Sequence, residues 1–454
     1  FRNVVGFFVK QYTHRTAGTE EFVQSIAESA GVDLARSLAT FVSQPGTPLV
    51  EGRLLCERGG GRLDLRQSRY RPIGARARTD IQWQIPVCVR TDIDTRCVLM
   101  ERFESSLEYD DDCPQYAILN ADGAGYYRFL LNTEAMAGVI DAAGSGVLSA
   151  RERLALVDSL GAGFLSGAVP ADDYFSALKR LVPSSGPLEL KAILDTLTRV
   201  RGALVSSEKR PAVERFAREL LLTRFKALGY TPKASDSVDD ARLRVALLDF
   251  MVFVARDRVV RAEAARRGGV LFRNGQLEAG GALVAVLLGA AVQVDDFVEP
   301  LVERLATSTD AVERRTILSA LGRVEKSERA RQVRDLVLDP RLQSSERGVL
   351  LLSLSQEPEL ATESWLWLRE NFDAFVREAG EAAAANTPTV AVPLCDIRTP
   401  DAMDEFFGER IERIRGGPER LMLALERVEL CVEQVRALRP ALDRFFAVDE
   451  IARR

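Results

Sequence analysis

The chain has 454 residues, enough for two or three domains of about 100 to 200 residues each, and its 46% hydrophobic and 28% charged residues are those of a globular protein. The 61 Lys and Arg against 66 Asp and Glu leave a net charge of -5, without the basic excess that counterion release on nucleic acid requires, so nucleic acid is excluded as a main partner. One histidine, His14, excludes a self-contained His-rich metal centre, because such sites need several positioned imidazoles.

The chain starts with Phe1, not Met, and FRNVVGFFVKQYTHR lacks the basic start and uniform apolar centre of a signal peptide, so a preceding segment is expected. Val4, Phe7, Phe8 and Tyr12 recur at helical spacing, and Thr19 is placed to cap a second helix whose first turn carries Glu20 and Glu21. Gln44-Pro45-Gly46 closes this helical stretch.

From Thr47 to about Asn132 the period shortens to two. Val50 and Leu54 alternate with Glu51 and Arg53, and Leu63 and Leu65 with Arg62, Asp64 and Arg66. Gly59, Gly60 and Gly61 stand between those runs, where they predict a hairpin and not a phosphate loop, since neither Lys-Ser/Thr nor a helix start follows. Runs at Trp83–Arg90, Arg96–Phe103, Tyr116–Leu119 and Tyr126–Leu131 complete roughly six or seven short strands, the pattern of a β-sandwich.

After Asn132 helices follow one another. Ser149-Ala150-Arg151-Glu152 is a capping box, with Leu154, Val157, Leu160 and Phe164 recurring behind it. Residues 280–294 form the longest apolar run, short of the roughly 20 residues a bilayer span needs, and predict a buried helix instead. Stripes at Trp365, Leu368, Phe372 and Phe375, and from Leu421 to Leu442, mark two more helices, the second expected to bend at Pro440. Between them, Ala382 to Pro393 reads as a loose connection. The fold class is mostly α and multidomain: a short helical segment (1–46), a β-sandwich (47–132), and a HEAT-like, α–α superhelical part (133–454).

Among candidate site residues, His14 reads as a helix-end cap or a solvent-facing imidazole. The six cysteines, Cys56, Cys88, Cys97, Cys113, Cys395 and Cys431, show no zinc spacing. Cys88 and Cys97 fall on adjacent strands, where a disulfide is geometrically allowed in an oxidising compartment, with reduced, buried thiols as the alternative; both cytoplasmic and exported locations fit. Cys431 lies on the apolar stripe of its helix and reads as core. Tyr109-Asp110-Asp111-Asp112 lacks the spacing of a calcium loop and reads as a solvated turn. Arg256 to Arg267 (RDRVVRAEAARR) reads as a solvated helix face, with a carboxylate-binding role as the alternative. No residue is predicted to be catalytic or to ligate a metal, and an independent Ser or Cys hydrolase lacks a base.

Four segments in order carry a resemblance. Leu119-Asn120-Ala121-Asp122-Gly123-Ala124-Gly125-Tyr126-Tyr127-Arg128-Phe129 resembles the "lN.dg.GYYRV.Y" segment of family M1 zinc aminopeptidases, the gluzincins that include aminopeptidase N and the endoplasmic-reticulum aminopeptidases. Gln44-Pro45-Gly46-Thr47-Pro48 is similar to that family's "W..q.G.P.v", Leu65-Arg66-Gln67-Ser68-Arg69-Tyr70 to its "l.Q.RF", and Trp83-Gln84-Ile85-Pro86-Val87 to its "W.iPl". Phe41 replaces the usual tryptophan, Phe129 a valine, and Leu131-Asn132 a tyrosine-aspartate pair. Weaker echoes at Trp365–Phe372 and Cys395–Phe407 extend the likeness over nearly the whole chain.

The resemblance implies that residues 1–46 are the last helices of a thermolysin-like catalytic domain, 47–132 its sandwich spacer, and 133–454 the helical C-terminal domain that encloses a peptide chamber. The expected partners are peptides and the chain's own N-terminal catalytic domain. The GxMEN loop, the zinc-binding HExxH with its distal glutamate, and the catalytic tyrosine all belong upstream, so zinc is expected in that domain and not here. Tyr12, in KQYTHRT, does not match the catalytic context. The alternative is a standalone sandwich-plus-helical-repeat scaffold that binds peptides or a protein partner.

Overall fold

The computed structural model describes residues 2–30, 35–57, 60–76, 78, 80–110, 112–277, 281–294 and 297–451. Of the residues singled out above, Phe1, Gly59, Asp111 and Gly280 lie outside that set. The chain is mostly helical and divides into two compact units, residues 1–189 and 190–454.

The first unit opens with helices α1 (Arg2–Gln11), α2 (Thr19–Ala30) and α3 (Ala35–Ser43). Thr19 does not cap α2 but is its first helical residue; Glu21 reaches back to accept from the Gly18 N–H. His14 is exposed, with φ at 61° just beyond α1. The strands are β1 (Pro48–Glu57), β2 (Gly60–Arg69), β3 (Ile85–Thr91), β4 (Thr95–Met100), β5 (Glu104–Tyr109), β6 (Ala117–Ile118) and β7 (Arg128–Leu131). They form a four-stranded sheet, β5-β2-β1-β7, and a three-stranded one, β4-β3-β6. The β1–β2 pairing is antiparallel and puts Leu54 opposite Leu63, so the two-residue period buries Val50, Leu54, Leu63 and Leu65 together. One strand departs from the sequence pattern: the run Arg96–Phe103 stops at Met100, and the polar ESSLEY segment pairs with β2 as β5. Its burial rests on Tyr109 alone, too little to register as alternation.

Helices α4 (Thr133–Gly144), α5 (Ala150–Ser166) and α6 (Ala171–Leu181) complete this unit. The capping box at the start of α5 forms, Ser149 accepting from the Glu152 N–H and Glu152 from the Ser149 N–H.

The resembling segments prove to be one another's supports. Gln67 is buried; its amide donates to the Trp83 carbonyl at 2.9 Å and accepts from the Trp83 N–H at 2.9 Å, joining two of them. Phe41 meets Tyr126 edge to face. Within 119–129, the Asn120 side chain bonds both the N–H and the C=O of Gly125, and the Tyr127 hydroxyl donates to the Leu119 carbonyl. A Cβ on Gly125 would sit 2.1 Å from the Tyr127 ring, which explains glycine there. Glu152 then ties this segment to α5, accepting from the Asp122 N–H and from Arg90 through both oxygens. The family-like residues here do structural work at the strand-to-helix junction.

The second unit contains α7 (Pro187–Arg199, beginning at the boundary), α8 (Arg210–Leu228), α9 (Val238–Asp249), α10 (Arg258–Arg273), α11 (Gly281–Val294) and α12 (Val298–Thr307). It continues with α13 (Ala311–Leu321), α14 (Ser327–Asp335), α15 (Ser344–Ser355), α16 (Ala361–Ala379), α17 (Glu381–Ala384), α18 (Thr399–Glu412) and α19 (Gly417–Ile451). α11 carries the longest apolar run and is buried through Leu288, Ala290, Ala291 and Val292; among the described residues no helix is long and apolar enough to cross a membrane. The loose connection expected at Ala382–Pro393 is instead ordered as α17 and a 3-10 segment, Thr387–Leu394, because Ala384, Val390 and Ala391 are small enough to pack fully into the core. α19 runs on through Pro440.

The cysteines meet in three pairs. Cys88 and Cys97 stand opposite each other across β3 and β4, Cys56 meets Cys113, and Cys395 meets Cys431 across 36 residues of sequence. The last two pairs are not suggested by the spacing.

Glu152 offers a direct measurement. Burial pushes its carboxyl up, but the Arg90 guanidinium and the Ser149 and Asp122 N–H groups outweigh that and hold it at about 2. A depressed carboxylate contributes stability above its ordinary value of 4.5 and loses it as the pH falls toward 2. Glu152→Gln should therefore weaken the first unit at pH 7 and flatten its acid transition, read by denaturant titration at pH 7 and pH 3. Gly125→Ala should cost about 1–3 kcal/mol by overpacking against Tyr127, at either pH.

Candidate functional site

Two features of the second unit combine burial with chemistry. The first is built by helix ends. α7 closes in a π-turn, Val200–Leu204, and α9 in another, Phe250–Val254. Such turns shift the register by one residue and turn side chains that a regular helix would point elsewhere. Arg201 sits in the first turn, and Arg256 follows the second with φ at 49°, in the left-handed region.

Both arginines meet the short connection between α15 and α16. The buried Arg201 gives its Nε to Glu214 at 2.9 Å and faces Glu357 and Glu359, each at 3.5 Å. Arg256 reaches Glu357 at 2.8 Å, Glu325 at 3.4 Å and Glu359 at 3.5 Å. Arg261 pairs with Glu325 at 2.8 Å and also donates to the Val252 carbonyl, while Arg210 reaches Glu359 at 3.2 Å. Four guanidinium and four carboxyl groups thus join five separate stretches of chain.

Burial, followed by the hydrogen bond with Glu359, pushes Glu357 up to about 8 against the pull of Arg201 and Arg256. Glu359 moves the other way: burial raises it, but the Glu357 hydrogen bond and the guanidiniums of Arg256, Arg201 and Arg210 outweigh that. The stretch Arg256–Arg267 therefore departs from a wholly solvated face: Arg256 and Arg261 turn into this network, whereas Arg266 stays exposed and pairs with Glu263.

The second feature is a cavity of about 640 Å³ between α10, α11 and the loop after α8. Val270, Leu283, Val284 and Leu287 form apolar walls, and Tyr230, Arg267 and Gln276 contribute polar groups. Arg267 is held by Glu263 at 2.7 Å and the Thr231 hydroxyl at 2.8 Å, with its guanidinium 4.9 Å from the Tyr230 ring centre. An apolar recess beside a fixed cation suits an apolar group next to an anion. Nothing in the sequence pattern marks this cavity, because its residues come from three segments and read individually as core or surface.

Neither feature is a metal centre. Among the described residues no group of three His, Cys, Asp or Glu side chains could hold a metal ion. The cysteines stand in pairs and His14 is exposed.

Residues 116–430 match the family described as ERAP1-like C-terminal domain. The chain belongs to that family. It is 22% identical to Aminopeptidase M1-D of Oryza sativa subsp. japonica, over 97% of this chain and 51% of the relative. Identity is 22% with Aminopeptidase M1 of Arabidopsis thaliana (97% and 52%) and 19% with the mitochondrial Aminopeptidase 2 of Saccharomyces cerevisiae (97% and 46%). The ERAP1-like chain spans about half the length of these curated relatives, and it corresponds to the C-terminal part of an M1 aminopeptidase.

The paired glutamates make the second unit sensitive to alkali. A carboxyl raised in the folded state contributes stability that is complete below its ordinary value of 4.5 and is lost as the pH rises through about 8. Denaturant titrations should show the second unit less stable at pH 9 than at pH 6, and Glu357→Gln, which stays neutral, should remove most of that difference. An unchanged difference in the variant would place its origin elsewhere.

Proposed function

We propose that this chain forms the rear part of a zinc-dependent aminopeptidase that removes N-terminal residues from peptides, with its helices, stacked in HEAT-like fashion, enclosing the chamber in which the peptide lies. The observation that carries this reading is the alignment of nearly the whole chain with about half of each aminopeptidase. Residues 1–46 then end the catalytic domain, 47–132 form its sandwich spacer, and 133–454 form the helical domain. Zinc and the residues that activate water belong to the preceding part, and this chain contributes binding and confinement.

Within the helical domain, the cavity beside Arg267 takes the distal part of a peptide. Its apolar walls suit a side chain, and the fixed guanidinium suits a terminal carboxylate. Remote contacts of this kind raise turnover of the substrates long enough to make them.

We further propose that the three cysteine pairs are disulfides in the native protein and that it matures in an oxidising compartment, since disulfides persist there and are rare where thiols are kept reduced.

The natural protein, purified from its source, should have a mass well above 50.1 kDa, contain about one zinc per chain, and lose peptide turnover to 1,10-phenanthroline. A mass near 50.1 kDa with neither zinc nor turnover sinks the reading. In the active protein, Val270→Trp, which fills the cavity from an exposed position, should raise KM for long peptides ending in an apolar residue and leave a single aminoacyl anilide unaffected. Thiol titration of the unfolded, unreduced protein should find none of these six cysteines free, and reactive thiols there would refute the compartment argument.

A further inference from the structure

The three cysteine pairs differ in what surrounds them. Cys88 and Cys97 stand directly opposite each other in the β3–β4 hairpin, where Cys97 is exposed and Cys88 half-buried. The two-residue period sets Pro86 and Arg90 on the same face of β3, and Thr95 and Leu99 on that of β4. None of these four is acidic, and the one charge among them, Arg90, is paired with Glu152. Cys56 is exposed as well, but Glu57 follows it and Asp112 precedes its partner Cys113, both exposed carboxylates. Cys431 is buried within α19 and its partner Cys395 is half-buried.

A disulfide opens by attack of a thiolate on one of its sulfurs, so access and local charge decide which pair opens first. An anionic thiolate is repelled by Glu57 and Asp112 at Cys56–Cys113 and obstructed by burial at Cys431. At Cys97 it meets neither obstacle.

Opening also has different consequences at the three places. Cys88 and Cys97 are 9 residues apart in sequence, against 57 and 36 for the other pairs. The short loop between them is closed by other means. The Thr91 N–H donates to the Asp94 carbonyl at 2.8 Å, and the Thr91 hydroxyl accepts from the N–H groups of Ile93 at 3.1 Å and Asp94 at 3.0 Å. With turn and strand pairing kept by these bonds, the two sulfurs stay within reach of each other after the bond is cut. What the covalent bond adds is a grip on β4, an edge strand in the order β4-β3-β6 that buries only Met100 fully.

We propose that Cys88–Cys97 is a reversible thiol–disulfide exchange site of the sandwich, opened by a dithiol reductant, and that its state sets how firmly β4 is held. One thiolate of the dithiol attacks the exposed Cys97 sulfur, the Cys88–Cys97 bond breaks, and Cys88 leaves as a thiolate that takes up a proton. The second thiol of the reductant then attacks the mixed disulfide and releases Cys97. The dithiol thus gives two electrons and two protons to the pair and becomes a disulfide itself. The inference rests on the reading of the pairs as disulfides and is independent of the aminopeptidase reading.

The test uses the full, unreduced chain under native conditions with dithiothreitol at pH 8. Free thiols are trapped with N-ethylmaleimide at successive times and located by peptide mass spectrometry. We expect Cys88 and Cys97 to be trapped about tenfold or more faster than the other four cysteines. Amide hydrogen exchange in β4 should rise with their opening and fall again when oxidised glutathione restores the pair. Thr95→Glu, which puts a carboxylate on that face at an exposed position, should slow the opening about threefold at low ionic strength. Trapping of Cys88 and Cys97 before any reductant is added refutes the pairing itself, and the proposal with it. With the pairing intact, equal opening of the three pairs, earlier opening of another pair, unchanged exchange in β4, or a Thr95→Glu chain that opens as fast overturns the proposal alone.

Discussion

The helical unit depends on a partly buried network of charges centred on Arg201. Arg201, Arg210, Arg256 and Arg261 meet Glu214, Glu325, Glu357 and Glu359 where two π-turns, one left-handed residue and the connection between α15 and α16 converge. Burying an ion costs several kcal/mol, so such a network adds little net stability over a well-packed apolar core. Removing one member is different, because it strands the partners, at about 3–5 kcal/mol for a buried pair. The network therefore acts on geometry. An arrangement of these helices that parts Arg201 from its three carboxylates strands a buried guanidinium, so the network favours one mutual position of the segments that supply it.

The first unit solves the same problem on a smaller scale at the junction of sheet and helix. There one carboxylate, Glu152, joins a capping box, the Arg90 guanidinium and the Asp122 N–H, while Asn120 and Tyr127 shape the turn that leads into β7. Both junctions use long-range polar contacts to fix where regular elements end. Polar contacts add direction to apolar packing, since a hydrogen bond weakens steeply with misalignment.

What could be read from the sequence follows from this division. The alternation in β1 and β2, the capping box at Ser149 and the stripe Trp365, Leu368, Phe372 and Phe375 are local, and each is buried or bonded as its period requires. The polar strand β5 escaped because only Tyr109 is buried. Ala382–Pro393 resembled a linker because small residues look alike whether they fill a tight space or none. The eight-membered network was illegible for a firmer reason. Arg201 and Glu357 are separated by 156 positions, and each in its own surroundings looks like a solvated charge. Only the π-turns, which no propensity marks, turn the two arginines inward. The resemblance to a known family was legible in segments such as 119–129, whose residues prove to be structural, and it could not single out the cavity beside Arg267.

On the aminopeptidase reading proposed above, this chain would serve the reaction through binding and not through chemistry of its own. Catalysis is differential binding, and contacts remote from the scissile bond serve it only if they are fixed relative to that bond. A cavity on a loosely packed helical array would hold a peptide end at many distances and assist none of them. On the aminopeptidase reading, the buried charge network matters because it removes that freedom: α10, which carries both Arg261 of the network and Arg267 of the cavity, is locked through Glu325 and the Val252 carbonyl at one end while it presents a fixed guanidinium at the other. The rigid helix between them spans six residues, about 9 Å. Chemistry elsewhere in the protein would then act on a substrate whose far end is positioned to within the play of one well-anchored helix.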